Sequence, residues 1–236
     1  SYSQEKSIEI DYLVDYSVPS KRNNTIDTVS IGFNKDGKYL WTKYNKLVLN
    51  LAKSLLKNSS EDYTKAETNL ILNTEEGILT LIFELNDNII FFKLDIDSFL
   101  PNNGNDDNLD LITQVSDEKI TVLEKEVAVY NIFPKNNPKD VLSIAVDKTI
   151  NVNNNLIFKK LFEIAFQKSV FKDNTFPNVP NGLIMTLSDK NKTLIEATKV
   201  DKNKRTIKFN YNFKITEWKH IHILKKKILE VDLELD

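Results

Sequence analysis

The sequence has no cysteine, two histidines and five glycines among its 236 residues. The lack of cysteine excludes disulfides, thiolate zinc sites, iron–sulfur clusters and cysteine nucleophiles. The glycines are not clustered, so the chain lacks the glycine-rich loop that cradles phosphate groups, and nucleotide enzymes are not expected. Apolar runs are short, and none reaches the roughly 18 residues that a membrane-spanning helix needs.

Arginine is nearly absent as well, since Arg22 and Arg205 are the only two in the chain. Arginine is the preferred residue for bidentate contacts with phosphate. The longest basic run is the three lysines at 225–227, and the net charge is −2. This composition argues against a nucleic acid as partner.

Alternation of apolar and polar residues marks a long stretch near each end of the chain, with Leu13 as the one apolar residue out of phase. The apolar positions of the first stretch are Ile8, Ile10, Tyr12, Val14, Tyr16 and Val18, and those of the second are Ile207, Phe209, Tyr211, Phe213 and Ile215. A period of two gives a strand one apolar and one polar face. Long strands with one face in water predict an antiparallel sheet that curves around a core or a ligand.

Turn residues between apolar stretches divide the rest of the chain into strands. The sequence Lys35-Asp36-Gly37 predicts a hairpin that joins residues 27–33 to 38–42. Further strands are predicted at 69–73, 78–85, 89–96, 119–123, 127–133, 141–146, 182–187, 193–200 and 205–215. The last twenty residues fit either a helix or an additional edge strand.

Two stretches, residues 44–55 and 157–166, have the apolar spacing of amphipathic helices. Asparagines at 153–155 offer a cap for the second helix. The polar stretch 101–110 is predicted as an exposed connection within one domain. The fold prediction is therefore a single β-rich domain over 1–236, mainly β (α+β). Its curved antiparallel sheet would form an incomplete barrel wrapped around the two helices.

Three groups of polar residues have the chemistry of a metal or catalytic site, but each fits a solvated surface better. His220 and His222 would share one face of a strand, yet a zinc site needs further ligands. The Asp and Asn residues of 102–110 lack the order of an EF-hand calcium loop. Asp95 and Asp97 would lie in water at a strand end. We therefore expect no catalytic residue, no metal site and no cofactor.

Aromatic and aliphatic side chains offer a different kind of site, a hydrophobic cavity between the second helix and the C-terminal strand. The predicted lining residues are Ile157, Phe158, Leu161, Phe162, Phe166, Phe209, Tyr211 and Phe213. The alternative is that the helix fills the open side of the curved sheet and that its aromatic residues are ordinary core.

The second half of the chain resembles a group of exported bacterial proteins. Four segments carry the likeness, in this order: KEVAVYNI at 125–132, SIAVDKTI at 143–150, PNGLIM at 180–185 and IEATKV at 195–200. The arrangement is similar to uncharacterised exported proteins and lipoproteins of Bacteroidetes-type bacteria. It also resembles the broader group that contains the outer-membrane lipoprotein carriers LolA and LolB. The resemblance covers roughly residues 118–215.

The resemblance to LolA and LolB implies a half-closed antiparallel barrel, with helices across its mouth and a cavity for acyl chains. The expected function is that of a non-enzymatic exported lipoprotein that binds an apolar ligand or a lipidated partner. Its expected location is the periplasm or the outer membrane, with the signal peptide removed and membrane association only through a lost N-terminal lipid anchor. The alternative is a cell-envelope interaction or scaffold protein with a filled core.

Overall fold

The computed structural model describes residues 5–19, 25–43, 62, 65–85, 88–96, 110–165, 178–190 and 192–210. These residues form thirteen strands and one helix. The strands are β1 Glu5–Ile10, β2 Tyr12–Pro19, β3 Ile26–Phe33, β4 Tyr39–Thr42, β5 Glu67–Asn73, β6 Ile78–Leu85, β7 Asn88–Asp95, β8 Leu111–Val122, β9 Lys125–Pro134, β10 Leu142–Asp147, β11 Leu183–Asp189, β12 Lys192–Asp201 and β13 Arg205–Asn210. The helix, α1, spans Asn154–Ala165.

Eleven of the strands form one antiparallel sheet in the order β7-β6-β5-β4-β3-β2-β12-β11-β10-β9-β8. Two meanders, β2–β7 and β8–β12, meet where β2 pairs with β12. The hairpin predicted at Lys35-Asp36-Gly37 is confirmed: β3 pairs with β4 across it, and Gly37 has a φ of 72°. The meander predicted over 69–96 is also confirmed.

The remaining strands, β1 and β13, pair with each other to form a separate two-stranded ribbon. The prediction of one continuous strand over 8–18 is therefore wrong, because the chain leaves the ribbon at Asp11 and enters the large sheet at Tyr12. The buried Asp11 side chain holds this junction. Its carboxylate accepts the Lys35 N–H at 2.8 Å, and its own N–H donates to the Phe33 carbonyl at 2.9 Å.

The ribbon packs across one face of the large sheet. Ile8 and Ile10 of β1 form a cluster with Trp41, Ile71 and Ile82 of the sheet, and Ile207 of β13 packs against it. Close approach depends on Gly32, because a Cβ there would lie 2.8 Å from Ile10 and 2.9 Å from Trp41.

The helix α1 begins beside the β3–β4 turn. The Asn153 side-chain oxygen accepts the N–H of Asn155, which is the capping arrangement expected at a helix start. The Asn154 amide donates to the carbonyls of Pro180 and Gly182, each at 2.8 Å, and so ties the first turn to the chain that enters β11.

The large sheet bends back on itself at its β8 end. Cα atoms of β8 and β12 approach within 8 Å, although three strands separate them in the sheet order. The predicted fold class is thus confirmed as mainly β with a large antiparallel sheet. Of the two predicted helices, the second is described as α1. The first, at 44–55, lies outside the described residues. Most of the predicted connection at 101–110 lies outside them as well.

Candidate apolar binding face

Residues that pair directly across neighbouring strands point to the same side of a sheet. The register of β2 through β7 therefore defines a row of side chains that crosses six strands. Every member is apolar, in the order Tyr12, Phe33, Leu40, Leu72, Leu79 and Leu94. Phe33 and Leu94 are 4% exposed, whereas Leu40 and Leu79 are half-buried.

A second apolar row crosses the other five strands, in the order Val115, Tyr130, Ile144, Leu187 and Ile195. The two rows lie on the same side of the sheet. Ala197, two residues after Ile195 on β12, pairs with Tyr16 of β2, and Tyr16 shares its side with Tyr12. We call this side, defined by the two rows, the apolar face. The ribbon covers the opposite side.

Tyr16 occupies the middle of the apolar face. It is fully buried, and its ring meets that of Phe33 edge-on at 6.3 Å. Its hydroxyl donates to the Ile184 carbonyl at 2.7 Å and so reaches from β2 across β12 to β11. Burial raises the pKa of Tyr16 above its ordinary value, so the hydroxyl is a hydrogen-bond donor at any physiological pH.

One polar group on the apolar face has no hydrogen bond within the described part of the chain. The Oγ1 atom of Thr113 on β8 is buried and lacks a partner there. Thr113 pairs with Ile132, which in turn pairs with Leu142, so its nearest neighbours across the strands are apolar. A buried hydroxyl without a partner is unfavourable, and ligand sites commonly combine apolar walls with a few polar groups of this kind.

The predicted lining residues divide between separate parts of the structure. Ile157 and Phe158 of α1, 1% and 2% exposed, belong to the larger core cluster with Tyr16 and Tyr130. Leu161 and Phe162 lie on α1, but their side chains are outside the described set. Phe209 lies on β13, whose Ile207 packs in the smaller cluster under the ribbon.

Phe166, Tyr211 and Phe213 lie outside the described residues. Among the described side chains, then, α1 and β13 contribute to two different clusters. The half-buried members of the two rows, such as Leu79 and Leu187, were missed by the sequence analysis. Their alternation was visible, but the pairing that joins them into one surface cannot be seen in a single sequence.

An ion pair between a buried carboxylate and a half-exposed lysine lies at the end of β10. The Asp147 side chain is 4% exposed, and one of its oxygens accepts from the Lys125 ammonium at 2.8 Å. The other accepts from the N–H and the hydroxyl of Thr149, at 2.9 and 2.6 Å. Burial alone would raise the pKa of Asp147, but the hydrogen bonds from Lys125 and Thr149 outweigh it and hold the pKa below its ordinary value.

We expect Asp147→Asn to destabilise the protein in a pH-dependent way. A lowered folded-state pKa contributes stability above the ordinary value near 3.8, and that contribution is lost as the pH falls further. At pH 7 the variant should lose about 1–3 kcal/mol of unfolding free energy. The difference from the wild type should shrink as the pH falls below 4. Urea unfolding at several pH values measures both quantities.

Glu126→Gln is the matched control, because Glu126 pairs with Lys119 at 2.6 Å but is 64% exposed. Exposed ion pairs contribute little to stability. The control should therefore change the unfolding free energy little at any pH. A loss for Asp147→Asn that stayed constant down to pH 2 would contradict the assigned role of the ion pair.

The predicted absence of a metal or catalytic cluster remains a prediction. Within the described ranges, no three His, Cys, Asp or Glu side chains come together in a way that would hold a metal ion. His220, His222 and Asp97 lie outside those ranges. Among the residues that the structure describes, no helical segment combines the length and the hydropathy of a membrane span.

The chain matches no protein-family model, and no curated protein sequence matches it significantly.

Proposed function

We propose that this chain is a non-enzymatic binding protein that takes an apolar ligand, an acyl chain or a lipidated partner, on its apolar face. The observation that carries the proposal is the apolar face itself: one row of directly paired apolar side chains crosses β2–β7, a second crosses β8–β12, and the pair Ala197 and Tyr16 puts both rows on the same side of a sheet that bends back on itself. Half-buried members, Leu40, Leu79, Leu187 and Ile195, leave apolar surface available for contact.

The proposed shape is an incomplete barrel. The approach of β8 to β12 supports closure at one end, and the meander β2–β7 would extend the same apolar face beyond the closed part. In the complete fold, α1 and a second helix at 44–55 would be enclosed by the barrel. The resemblance over residues 118–215 supports this shape and suggests an exported lipoprotein of the periplasm or outer membrane.

Burial of acyl methylenes would drive binding. Each buried methylene contributes about 0.8 kcal/mol, so affinity should rise about fourfold for each methylene added to a ligand that still fits.

A second function, an envelope interaction or scaffold protein with a filled core, is favoured by one observation. Ile157 and Phe158 are almost completely buried, so the part of the core that they contact is already filled by the protein itself. If the rest of the apolar face is covered in the same way, no acyl chain can enter.

Native mass spectrometry of the purified protein, with lipid extraction of the same sample, distinguishes the two functions. We expect a fatty acid or phospholipid that is released on denaturation, and uptake of a fluorescent fatty acid by the delipidated protein. A clean mass without ligand, together with no uptake, would contradict the binding function and favour the filled core.

Two adjacent residues of β6 provide a matched pair of variants. Leu79 lies in the first row of the apolar face, and Thr80 points to the opposite side, where it pairs with Ile71 and Lys93. We expect Leu79→Asn to weaken fatty-acid binding about tenfold or more, equivalent to about 1.4 kcal/mol. Thr80→Asn should leave affinity unchanged. Equal effects of the two variants would show that binding does not use the apolar face.

A further inference from the structure

The junction between α1 and β11 contains a chemically unstable pair of residues. Asn181 is followed by Gly182, and the other Asn–Gly pair in the chain, at 103–104, lies outside the described residues. The backbone nitrogen after an asparagine can attack the side-chain carbonyl carbon, because the two atoms then close a five-membered ring. Glycine favours this attack, since it has no side chain in the way and the freest backbone. Asn181 is therefore a candidate site of deamidation.

The two residues of this pair lie in different surroundings. Asn181 is exposed, so water reaches its side-chain amide, whereas Gly182 is buried. The Gly182 N–H, which carries the attacking nitrogen, donates to the Val152 carbonyl at 2.9 Å. Attack requires the loss of this proton and a rotation of the nitrogen towards the Asn181 side chain, and both break the hydrogen bond. The fold thus shields the nucleophile and leaves the electrophile in water.

A single side chain at the start of α1 holds this segment in place. The Asn154 side chain is 0% exposed, and its amide donates to the carbonyls of Pro180 and Gly182, each at 2.8 Å. The Asn154 backbone N–H donates to the side-chain oxygen of Asn181 at 3.4 Å. Ring closure needs rotations of Asn181 that would break these bonds. The first turn of α1 must therefore separate from the start of β11 before the ring can form.

The reaction needs no reagent other than water. The Gly182 nitrogen loses its proton and forms a bond to Cγ of Asn181, while the bond from Cγ to Nδ2 breaks and ammonia leaves with that proton. Water then opens the resulting succinimide. Addition of water at Cγ gives aspartate with the normal main chain. Addition at the main-chain carbonyl carbon gives isoaspartate, in which the main chain runs through the former side chain.

The two products affect the junction differently. Aspartate keeps the main chain and places a negative charge beside the first N–H of α1, where the helix dipole favours it. Isoaspartate adds a methylene to the main chain just before Gly182. Gly182 has no room to shift, because even a Cβ there would lie 2.8 Å from the Asp147 carbonyl oxygen. The lengthened main chain therefore cannot restore the bonds to both Val152 and Asn154.

We propose that Asn181 is a deamidation site that the first turn of α1 keeps closed, and that isoaspartate formed there holds the junction open. Modification of Asn181 would then accumulate in proportion to the time that α1 spends separated from the start of β11. The proposal rests on the contacts of this junction. It involves no ligand and no part of the apolar face, so it stands or falls separately from the binding function.

The rate of deamidation in the folded and the unfolded chain measures how well the site is closed. The full chain is incubated at neutral pH with and without guanidinium chloride, and the peptide that contains Asn181 is analysed by mass spectrometry. We expect Asn181 to react at least about a hundredfold more slowly in the folded chain, which is equivalent to about 2.8 kcal/mol for opening of the junction. Equal rates in the two states would overturn the proposal.

Asn154→Ala and Asn155→Ala form a matched pair, since they make the same change at adjacent positions. Asn155 is exposed, and its contribution to the helix cap comes from its backbone N–H. We expect Asn154→Ala to accelerate deamidation of Asn181 about tenfold or more, and Asn155→Ala to leave the rate unchanged. The same rate in both variants would show that the Asn154 side chain does not close the site.

Hydrogen exchange of the Gly182 amide tests the same hydrogen bond in the wild type, so it is independent of whether Asn154→Ala folds. The bond to Val152 protects both the proton and the nitrogen. Exchange and deamidation should therefore be slowed by factors that agree within about tenfold, each relative to the unfolded chain. Slow exchange of Gly182 together with rapid deamidation of Asn181 would show that the ring closes without opening of the junction, and would refute the proposal.

The two products can be compared by their unfolding. Asn181→Asp reproduces the aspartate product, and the isoaspartate form is separated from aged wild-type protein by chromatography. We expect Asn181→Asp to unfold at the same denaturant concentration as the wild type, and the isoaspartate form to unfold at a lower one. An unchanged midpoint for the isoaspartate form would contradict the proposal that it holds the junction open.

Discussion

Replacing Gly182 by alanine is expected to destabilise the entire fold, with a loss of about 2–6 kcal/mol of unfolding free energy. Gly182 has a φ of 147°, a conformation that residues with a side chain rarely adopt, and such strain costs about 1–3 kcal/mol. An added Cβ would also overlap the Val146 side chain and lie 2.8 Å from the Asp147 carbonyl oxygen. Overpacking of this kind costs about another 1–3 kcal/mol.

The position matters because Gly182 joins three parts of the structure. Its N–H donates to the Val152 carbonyl at 2.9 Å, and its carbonyl accepts from the Asn154 side chain at 2.8 Å. It therefore connects the end of β10, the start of α1 and the start of β11. A shift of Gly182 would displace the first turn of α1 from the core that it fills.

Gly77→Ala is the comparison variant, since Gly77 has a φ of 66° in the turn between β5 and β6. Backbone strain alone should cost about 1 kcal/mol there. Urea unfolding followed by tryptophan fluorescence and by circular dichroism measures both variants. If Gly182→Ala lost no more stability than Gly77→Ala, the proposed junction would be wrong.

Gly182 also illustrates which parts of the fold the sequence reveals. The sequence analysis placed it at the start of a strand, and β11 does begin at the next residue, because the apolar run 183–187 is a local signal. The contact with Val146 and the bond to Asn154 depend on residues about thirty positions away. No pattern within a short stretch encodes them.

The same distinction applies to the strands. Turn chemistry at Gly37 correctly predicted the β3–β4 hairpin, since both partners lie beside the turn. The pairing of β2 with β12, which joins the two meanders, links Tyr16 to Ala197 and has no local signal. Asp11 was taken for an ordinary polar position of one long strand. Its carboxylate is buried at the junction of the ribbon and the large sheet, where it accepts the Lys35 N–H and pairs with Lys204.

The candidate apolar face was predicted only in part, because only some of its residues have a local sequence signal. Periodicity marked Ile157 and Phe158 as apolar positions of a helix, and both are buried. The start of β8 at Leu111 was missed, because the prediction began that strand at 119. An edge strand with exposed residues on both sides, interrupted by a bulge, does not show clean alternation.

Truncating Phe158 to alanine should be the most informative change in the candidate binding region. Phe158 is 2% exposed in the core cluster that it shares with Tyr16 and Tyr130. Removing a packed phenyl ring typically costs about 3–5 kcal/mol, because it loses apolar burial and leaves a cavity. Phe158→Leu, which conserves more of the volume, should cost less than about 1.5 kcal/mol.

The response of Phe158→Ala to fatty acid separates the two proposed functions. If the protein binds acyl chains on its apolar face, a ligand at a hundred times its dissociation constant should stabilise the wild type by about 2.7 kcal/mol. The variant should gain more, since an acyl chain can occupy the space that the ring vacated. If the core is filled and closed, neither protein gains stability from the ligand, although the variant still loses about 3–5 kcal/mol.

Thermal or urea unfolding measures these differences in unfolding free energy. It is carried out with and without fatty acid for the wild type, Phe158→Ala and Phe158→Leu. A loss below about 1 kcal/mol for Phe158→Ala would contradict the packing of α1 against the sheet, because truncating a tightly packed ring costs about 3–5 kcal/mol of unfolding free energy. A full loss with recovery by fatty acid would instead place the start of α1 at the wall of the binding site. The change in unfolding free energy of Phe158→Ala, measured with and without fatty acid, thus decides whether the start of α1 is closed core or part of the binding site.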